Sequence, residues 1–210
     1  MPDPRTQIVS DGYDAIGETF AAWRKDFVGD PRREWEDDFA TRLARLENGA
    51  RVLDLGCGGG SPETKRLAQQ FAVTGVDISP RQIERAKAAV PKAHFICADI
   101  TELELPTDSF DGVASFVAFN HVPRELLAPL LGNIHGWLVS GGWLLTAFGA
   151  SDNPGWTGDW LGAQTFFSGF PPEVNSSLVR EAGFTIERDE VVVYEASDGT
   201  EHFQWVLAQA

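Results

Sequence analysis

Cysteine is scarce in this chain, with Cys57 and Cys97 the only two among 210 residues. Two thiols build no disulfide framework, and neither stands in a spacing that would hold zinc, so both are expected to be reduced. His94, His135 and His202 likewise pair with no acid at a ligand-like spacing, and no metal is predicted. Long apolar runs are missing as well. No stretch approaches the roughly 20 residues that a membrane helix requires, and the opening Met1-Pro-Asp-Pro-Arg5 lacks the basic and apolar regions of a signal peptide. A cytoplasmic protein without membrane attachment is the expectation. Cations are in deficit: 17 Lys and Arg face 31 Asp and Glu, for a formal charge of -14. Such a surface repels phosphate backbones and argues against nucleic acid as substrate. With no internal repeat or low-complexity tract, the length suits one packed domain.

What the chain does contain is an alternation of two periodicities. Short apolar strands are read at Arg51–Leu55, Val73–Asp77, Ala93–Ala98, Phe110–Val117, Gly142–Phe148, Phe184–Tyr194 and His202–Ala208. Helical patterns lie among the first five at Pro62–Phe71, Pro80–Val90 and Arg124–Leu138, with Ser79-Pro80 as N-cap and first helical residue. That alternation predicts an α/β fold with a mainly parallel, doubly wound sheet. The last two strands lack an intervening helix, and Ser197-Asp198-Gly199 supplies a turn, so they read as an antiparallel hairpin. Two helices, Asp11–Val28 and Pro31–Leu46, precede the first strand with Tyr13, Phe20, Trp23, Phe27, Trp35 and Phe39, and are placed to cap the open end of the sheet. Gly149–Pro172, with five glycines and three prolines, reads as an irregular aromatic loop. The expected division is a helical cap at 1–48, a core at 49–149, a loop at 150–172 and a helix with a strand hairpin at 173–210.

The segment Val52-Leu-Asp-Leu-Gly-Cys-Gly-Gly-Gly60 carries most of the functional information. A strand buried in a parallel sheet should be apolar, so Asp54 costs free energy unless a partner satisfies it, and function is the reason to keep it. Gly56, Gly58, Gly59 and Gly60 remove Cβ atoms where the chain must turn sharply and approach a ligand, and a helix beginning near Ser61-Pro62 follows. Asp77 ends the second strand and Asp99 follows the third, so three carboxylates emerge along one edge of the sheet. A carboxylate after the second strand can accept both hydroxyls of a ribose, and one after the third can accept from an adenine amino group flanked by Ile78 and Ile100. The set points to a nucleoside with a cationic tail. It departs from the nicotinamide fingerprint, which wants glycine or alanine where Ser61 stands.

In order, Val52-Leu-Asp-Leu-Gly-Cys-Gly58, Thr74-Gly-Val-Asp-Ile-Ser79, Cys97-Ala-Asp-Ile100 and Gly141-Gly-Trp143 resemble the motifs of class I S-adenosylmethionine-dependent methyltransferases, most strongly over residues 48–150. Ala182-Gly-Phe184 followed by two strands is similar to that family too. The resemblance implies a Rossmann-like, seven-stranded sheet whose last strand is antiparallel, and S-adenosylmethionine as cofactor. It implies that Gly56, Cys57 and Gly58 lie against the cofactor and that Asp54 orients its methionine end through the loop and water. Asp77 would hold the ribose, Asp99 and Ile100 would contact adenine with Ile78, and Ser115 or Phe116 would border the sulfonium. Tyr13, in Tyr13-Asp-Ala-Ile-Gly17, resembles part of the family's N-terminal lid. Its phenol either closes over the cofactor carboxylate or packs with the hydroxyl exposed.

Methyl transfer needs a nucleophile aligned with the sulfonium methyl, and positioning supplies much of the acceleration. Asn120-His121, just past the fourth strand, is the best-placed polar pair. His121 serves either as a base near neutral pH or as a hydrogen-bonding and capping residue of the loop. Trp156, Trp160, Phe166 and Phe167 either shape an acceptor pocket or anchor their loop to the core. The acidic surface, short chain and aromatic caps favour methylation of a small, partly apolar acceptor at O, N or C. Alternatives are a methyltransferase-like protein that performs cyclisation or isomerisation, and a cofactor-binding protein without turnover. Monomer and homodimer both fit.

Overall fold

The computed structural model describes residues 3–23, 30–46, 49–196 and 199–210. The apolar runs become β1 (Arg51–Leu55), β2 (Ala72–Asp77), β3 (His94–Cys97), β4 (Phe110–Phe116) and β5 (Leu138–Gly149), followed later by β8 (Thr185–Ala196) and β9 (Gly199–Gln209). Together they form a sheet in the order β3-β2-β1-β4-β5-β9-β8. The first five strands run parallel. β9 inserts antiparallel between β5 and β8, so the expected terminal hairpin is present. Of its predicted turn, Ser197 and Asp198 lie outside the described residues.

Helices α3 (Pro62–Gln70), α4 (Pro80–Ala89) and α5 (Arg124–Trp137) cross over between parallel strands, and α6 (Pro172–Glu181) precedes β8. Ser61 and Ser79 cap α3 and α4 by accepting from Thr64 N and Gln82 N, each with proline at the first helical position. Adjacent residues of one strand serve opposite faces. Leu53, Val113 and Leu144 pack with Leu130, Leu131 and Ile134 of α5, while Val52, Ala114 and Leu145 pack with Trp35, Phe39 and Leu43 of α2 (Arg32–Leu43). Burying each large side chain stabilises the fold by ~1.5–3 kcal/mol. Expected as an end cap, α2 instead covers this face of the sheet, because its aromatic residues are fully buried there.

Capping of the sheet's open end falls to α1 (Pro4–Trp23), which starts seven residues earlier than the apolar pattern suggested. Pro4 pre-sets the first helical φ, and the Asp3 carboxylate accepts from Arg5 N at 2.9 Å, so the start is fixed by capping rather than periodicity. Phe27 and the rest of 24–28 lie outside the described residues.

The expected irregular loop is a correction. Asn153–Trp160 and Ala163–Gly169 are strands β6 and β7 of an antiparallel hairpin. Its two-residue turn, Leu161-Gly162, has φ of 54° and 89°, as a type I′ connection requires. The glycine at 158 marks close packing instead of irregularity, since a Cβ there would meet the Trp156 ring at 2.2 Å. Arg124 clamps the hairpin's base by donating to the Gly169 carbonyl and the Asp152 carboxylate, and Ser168 Oγ donates to the Val122 carbonyl at 2.5 Å.

Candidate active site

Chain order reverses between β1 and β4, and at that switch point the strand ends open into a cavity of about 770 Å³, within the usual range for small-molecule sites. The turn after β1 is held from β2: Gly56 N and Cys57 N both donate to the Val76 carbonyl, at 2.8 and 3.0 Å. Gly56 has φ 78°, and a Cβ on it would lie 2.3 Å from that of Ala118, so only glycine fits between the diverging loops. Cys57 is buried, and burial pushes its thiol well above the ordinary range, which leaves its backbone as the useful part.

Of the three expected carboxylates, Asp77 and Asp99 reach the cavity wall and Asp54 does not. Asp77 accepts from Gly58 N and Ser79 N, both at 2.9 Å. Burial raises its carboxyl to about 6 against the pull of those amides. Asp99 uses Oδ1 to accept from Thr101 N and Oγ1 at 2.8 Å. Its Oδ2 is buried and has no partner, so the wall holds an acceptor that fits an incoming amino group. Asp54 lies beneath the turn, 1% exposed, and accepts from Thr64 Oγ1 at 2.6 Å. Burial raises it to about 7.

Ile78, Ile100 and Phe116 line the cavity as expected. Ser115, offered as the alternative to Phe116, is fully buried with its hydroxyl unpartnered and stands apart from the wall. Val117 follows with φ 92°, an unfavourable conformation for a β-branched residue, and it lines the cavity between Phe116 and Ala118.

His121 lies in a 3-10 turn, Ala118–His121, and both it and Tyr13 line the cavity. Nδ1 is 2.7 Å from the Phe166 carbonyl oxygen and Nε2 is 2.8 Å from the Tyr13 hydroxyl. Burial holds the imidazole down to about 4, so it is neutral at physiological pH. Trp156, Trp160, Phe166 and Phe167 are not in the wall. They back it: Phe167 lies 4.5 Å from the His121 ring and Trp160 6.3 Å from Tyr13, centroid to centroid. Sequence reasoning missed Thr6, Val9, Gly17 and Phe20, which line the cavity with Tyr13. All five fall on one face of α1: Gly17 and Phe20 follow Tyr13 at helical spacing within the expected helix, and recognising the Asp3-Pro4 start would have added Thr6 and Val9.

Fold and site define a doubly wound α/β protein with a nucleoside-type pocket at its strand ends. A family profile described as a methyltransferase domain matches residues 52–142. An uncharacterized methyltransferase of Synechocystis sp. is 34% identical over 152 residues, covering 68% of this chain and 70% of that protein. The 27-O-demethylrifamycin SV methyltransferase of Amycolatopsis mediterranei is 33% identical over 144 residues, 59% of this chain, which spans only 52% of that relative. Among solved structures, the [4+2]-cyclase SpnF superposes with a TM-score of 0.72 at 19% identity, covering 100% of this chain and 98% of that one. That likeness speaks for the fold alone. The chain belongs to the S-adenosylmethionine-dependent class I methyltransferases.

Proposed function

We propose that this protein transfers a methyl group from S-adenosylmethionine to an O, N or C atom of a small, partly apolar organic acceptor. The carrying observation is the buried, unpartnered Asp99 Oδ2 on the same wall as Asp77 and the Gly56–Gly60 turn. Asp99 accepts from adenine between Ile78 and Ile100, Asp77 holds the ribose, and Gly56, Cys57 and Gly58 present backbone to the methionine end, with Asp54 supporting the turn from beneath. Phe116 borders the sulfonium. When bound, the cofactor supplies an electrophilic methyl group, so the chain needs no nucleophile of its own; it aligns the acceptor and excludes water. Val9, Phe20, Ala21 and Val122 add apolar surface to the wall, and His121, beside Tyr13, is the group that finally holds a proton released by the acceptor.

The same reading takes residues 1–48, 49–149, 150–172 and 173–210 as cap, core, substrate-side hairpin and closing segment of one domain. The hairpin's Trp156, Trp160, Phe166 and Phe167 shape the acceptor end indirectly, through Tyr13 and His121. The protein works in the cytoplasm, as monomer or homodimer, without nucleic acid or membrane partners; no described helix is long and apolar enough to cross a membrane. Calorimetric titration with S-adenosylmethionine, S-adenosylhomocysteine and NAD tests the cofactor, with binding expected for the first two only. A product heavier by one methyl group tests the reaction, whereas turnover at unchanged mass would replace methylation by rearrangement.

A further inference from the structure

The Phe166 carbonyl oxygen can only accept a hydrogen bond, so the His121 Nδ1 at 2.7 Å carries the hydrogen. In the neutral ring Nε2 is then an acceptor, and the Tyr13 phenol 2.8 Å away donates to it. This tautomer is imposed by backbone. Phe166 belongs to β7, pairs with Thr157 of β6, and sits in a hairpin clamped by Arg124 and Ser168. Tyr13 meets the imidazole edge-on, with ring centroids 5.1 Å apart, and Phe167 packs on the same imidazole.

We propose that Tyr13 and His121 form a proton relay for a hydroxyl acceptor, in which the Tyr13 oxygen, and not the imidazole, takes the acceptor's proton. The inference rests on the methyl-transfer reading. The one basic nitrogen of His121 is already engaged by the phenol, so a proton leaving the acceptor reaches it through the phenol oxygen. The acceptor oxygen bonds to the methyl carbon as the carbon–sulfur bond breaks, and that electron pair stays on sulfur. Meanwhile the acceptor's proton passes to Tyr13 Oη and the phenol's proton passes to His121 Nε2. Positive charge moves from sulfur to imidazole, and the net charge of the cavity is unchanged.

A weak base suffices here, because a hydroxyl oxygen becomes strongly acidic as it gains a methyl group. An amine acceptor can release its proton to water after transfer and gains nothing from a relay. Acidic acceptors fit less well. Among the described residues the cations lining the cavity are Lys65 and Arg85, on α3 and α4 rather than beside Tyr13 and His121, and Arg85 is paired with Glu18 at 3.4 Å.

The test combines nitrogen-15 NMR of histidine-labelled protein saturated with S-adenosylhomocysteine and turnover of catechol and hydroquinone against aniline and 4-aminoaniline, read by mass. Wild type and Tyr13→Phe are compared. The expected result is a neutral His121 protonated at Nδ1, with an Nε2 resonance that moves in Tyr13→Phe. Hydroxyl turnover should fall ~100-fold in that variant, by more than aniline turnover falls, so that the hydroxyl-to-amine ratio at saturating cofactor drops with it. A ring protonated at Nε2, or hydroxyl turnover retained in Tyr13→Phe, overturns the relay and returns the base role to His121 alone. A wild-type protein that binds S-adenosylhomocysteine but methylates neither acceptor set overturns the relay for a hydroxyl acceptor and leaves the methyl-transfer reading to carbon acceptors. The NMR readout then reports only the hydrogen-bonded pair.

Discussion

Asp77, the last residue of β2, accepts the amide of Gly58 in the neighbouring turn at 2.9 Å. Its other oxygen accepts from Ser79 N at the start of α4, so one carboxylate shapes two loops while facing the cavity. Asp77→Ala should therefore lower both stability and cofactor affinity. Losing hydrogen bonds to a charged acceptor costs about 1.5–3 kcal/mol, roughly 10- to 150-fold in Kd. Asp77→Asn retains one acceptor oxygen and should fall between. Calorimetry with S-adenosylhomocysteine reads the effect, and unchanged affinity in the alanine variant would remove the ribose assignment.

The buried Asp54 predicts a pH dependence of folding. Its carboxyl ionises at about 7 in the folded protein, against about 4 in an unfolded chain. Between those values only the folded state holds the proton, so stability falls as pH rises through the window. Asp54→Asn cannot ionise and still offers Thr64 an acceptor. Thermal melts of the cofactor-free protein should show the variant losing less midpoint between pH 4 and 8 than wild type. Each kcal/mol of difference moves the midpoint by about 2–4 °C for a chain of this size. Parallel curves for the two proteins would mean that Asp54 keeps an ordinary carboxylate.

His121 contributes with the opposite sign over much of the same range. Burial lowers it to about 4, while an unfolded histidine titrates near 6.5. Below 6.5 the unfolded chain gains a proton that the folded one refuses, so this contribution is intact above 6.5 and is lost as pH falls toward 4. Wild type should thus lose stability as pH rises between about 4.5 and 6, because Asp54 and Asp77, both raised by burial, together outweigh His121. His121→Gln should steepen this downward slope in urea-unfolding midpoints, and Asp54→Asn should flatten it, leaving Asp77 and His121 opposed. Identical slopes in both variants would contradict the opposed shifts.

The parallel sheet and the acids at its strand ends were legible because they rest on local rules. Apolar runs, serine–proline helix starts and an acid at a strand end each announce themselves within a few residues. The hairpin over residues 153–169 was not, because glycine usually signals irregularity, while here Gly158 makes room for the Trp156 ring and Gly162 completes a turn with Leu161. The Tyr13–His121 contact joins residues 108 apart, and no spacing in the sequence could announce it. Asp54 was rightly singled out as costly in a strand, yet its place beneath the turn, bonded to Thr64, depends on how α3 packs. Val117 gave no signal at all, since a β-branched residue is the last expected at positive φ.

Gly12 decides how α1 seats over the cavity. A Cβ at this position would lie 2.6 Å from the Gln164 carbonyl oxygen of β7. Alanine in a helix interior gains about 0.5–1 kcal/mol over glycine, whereas overpacking costs ~1–3 kcal/mol. Gln164 cannot swing aside, because the atom is backbone and its strand is paired with Asp159 of β6. The clash outweighs the propensity, and α1 must lift. Thr6, Val9 and Tyr13 line the cavity from the same helix, so lifting moves the wall and parts Tyr13 from His121. Gly12→Ala should fold with its sheet intact, bind S-adenosylhomocysteine more weakly, and shift tryptophan emission to the red as Trp160 loses its packing against Tyr13 and Trp23. Gly17→Ala is the control on the same helix, since its Cβ meets only the side-chain ends of Arg85 and Gln82, which can move. Weak binding in Gly17→Ala with normal binding in Gly12→Ala would place the seat of α1 on α4 and not on the hairpin.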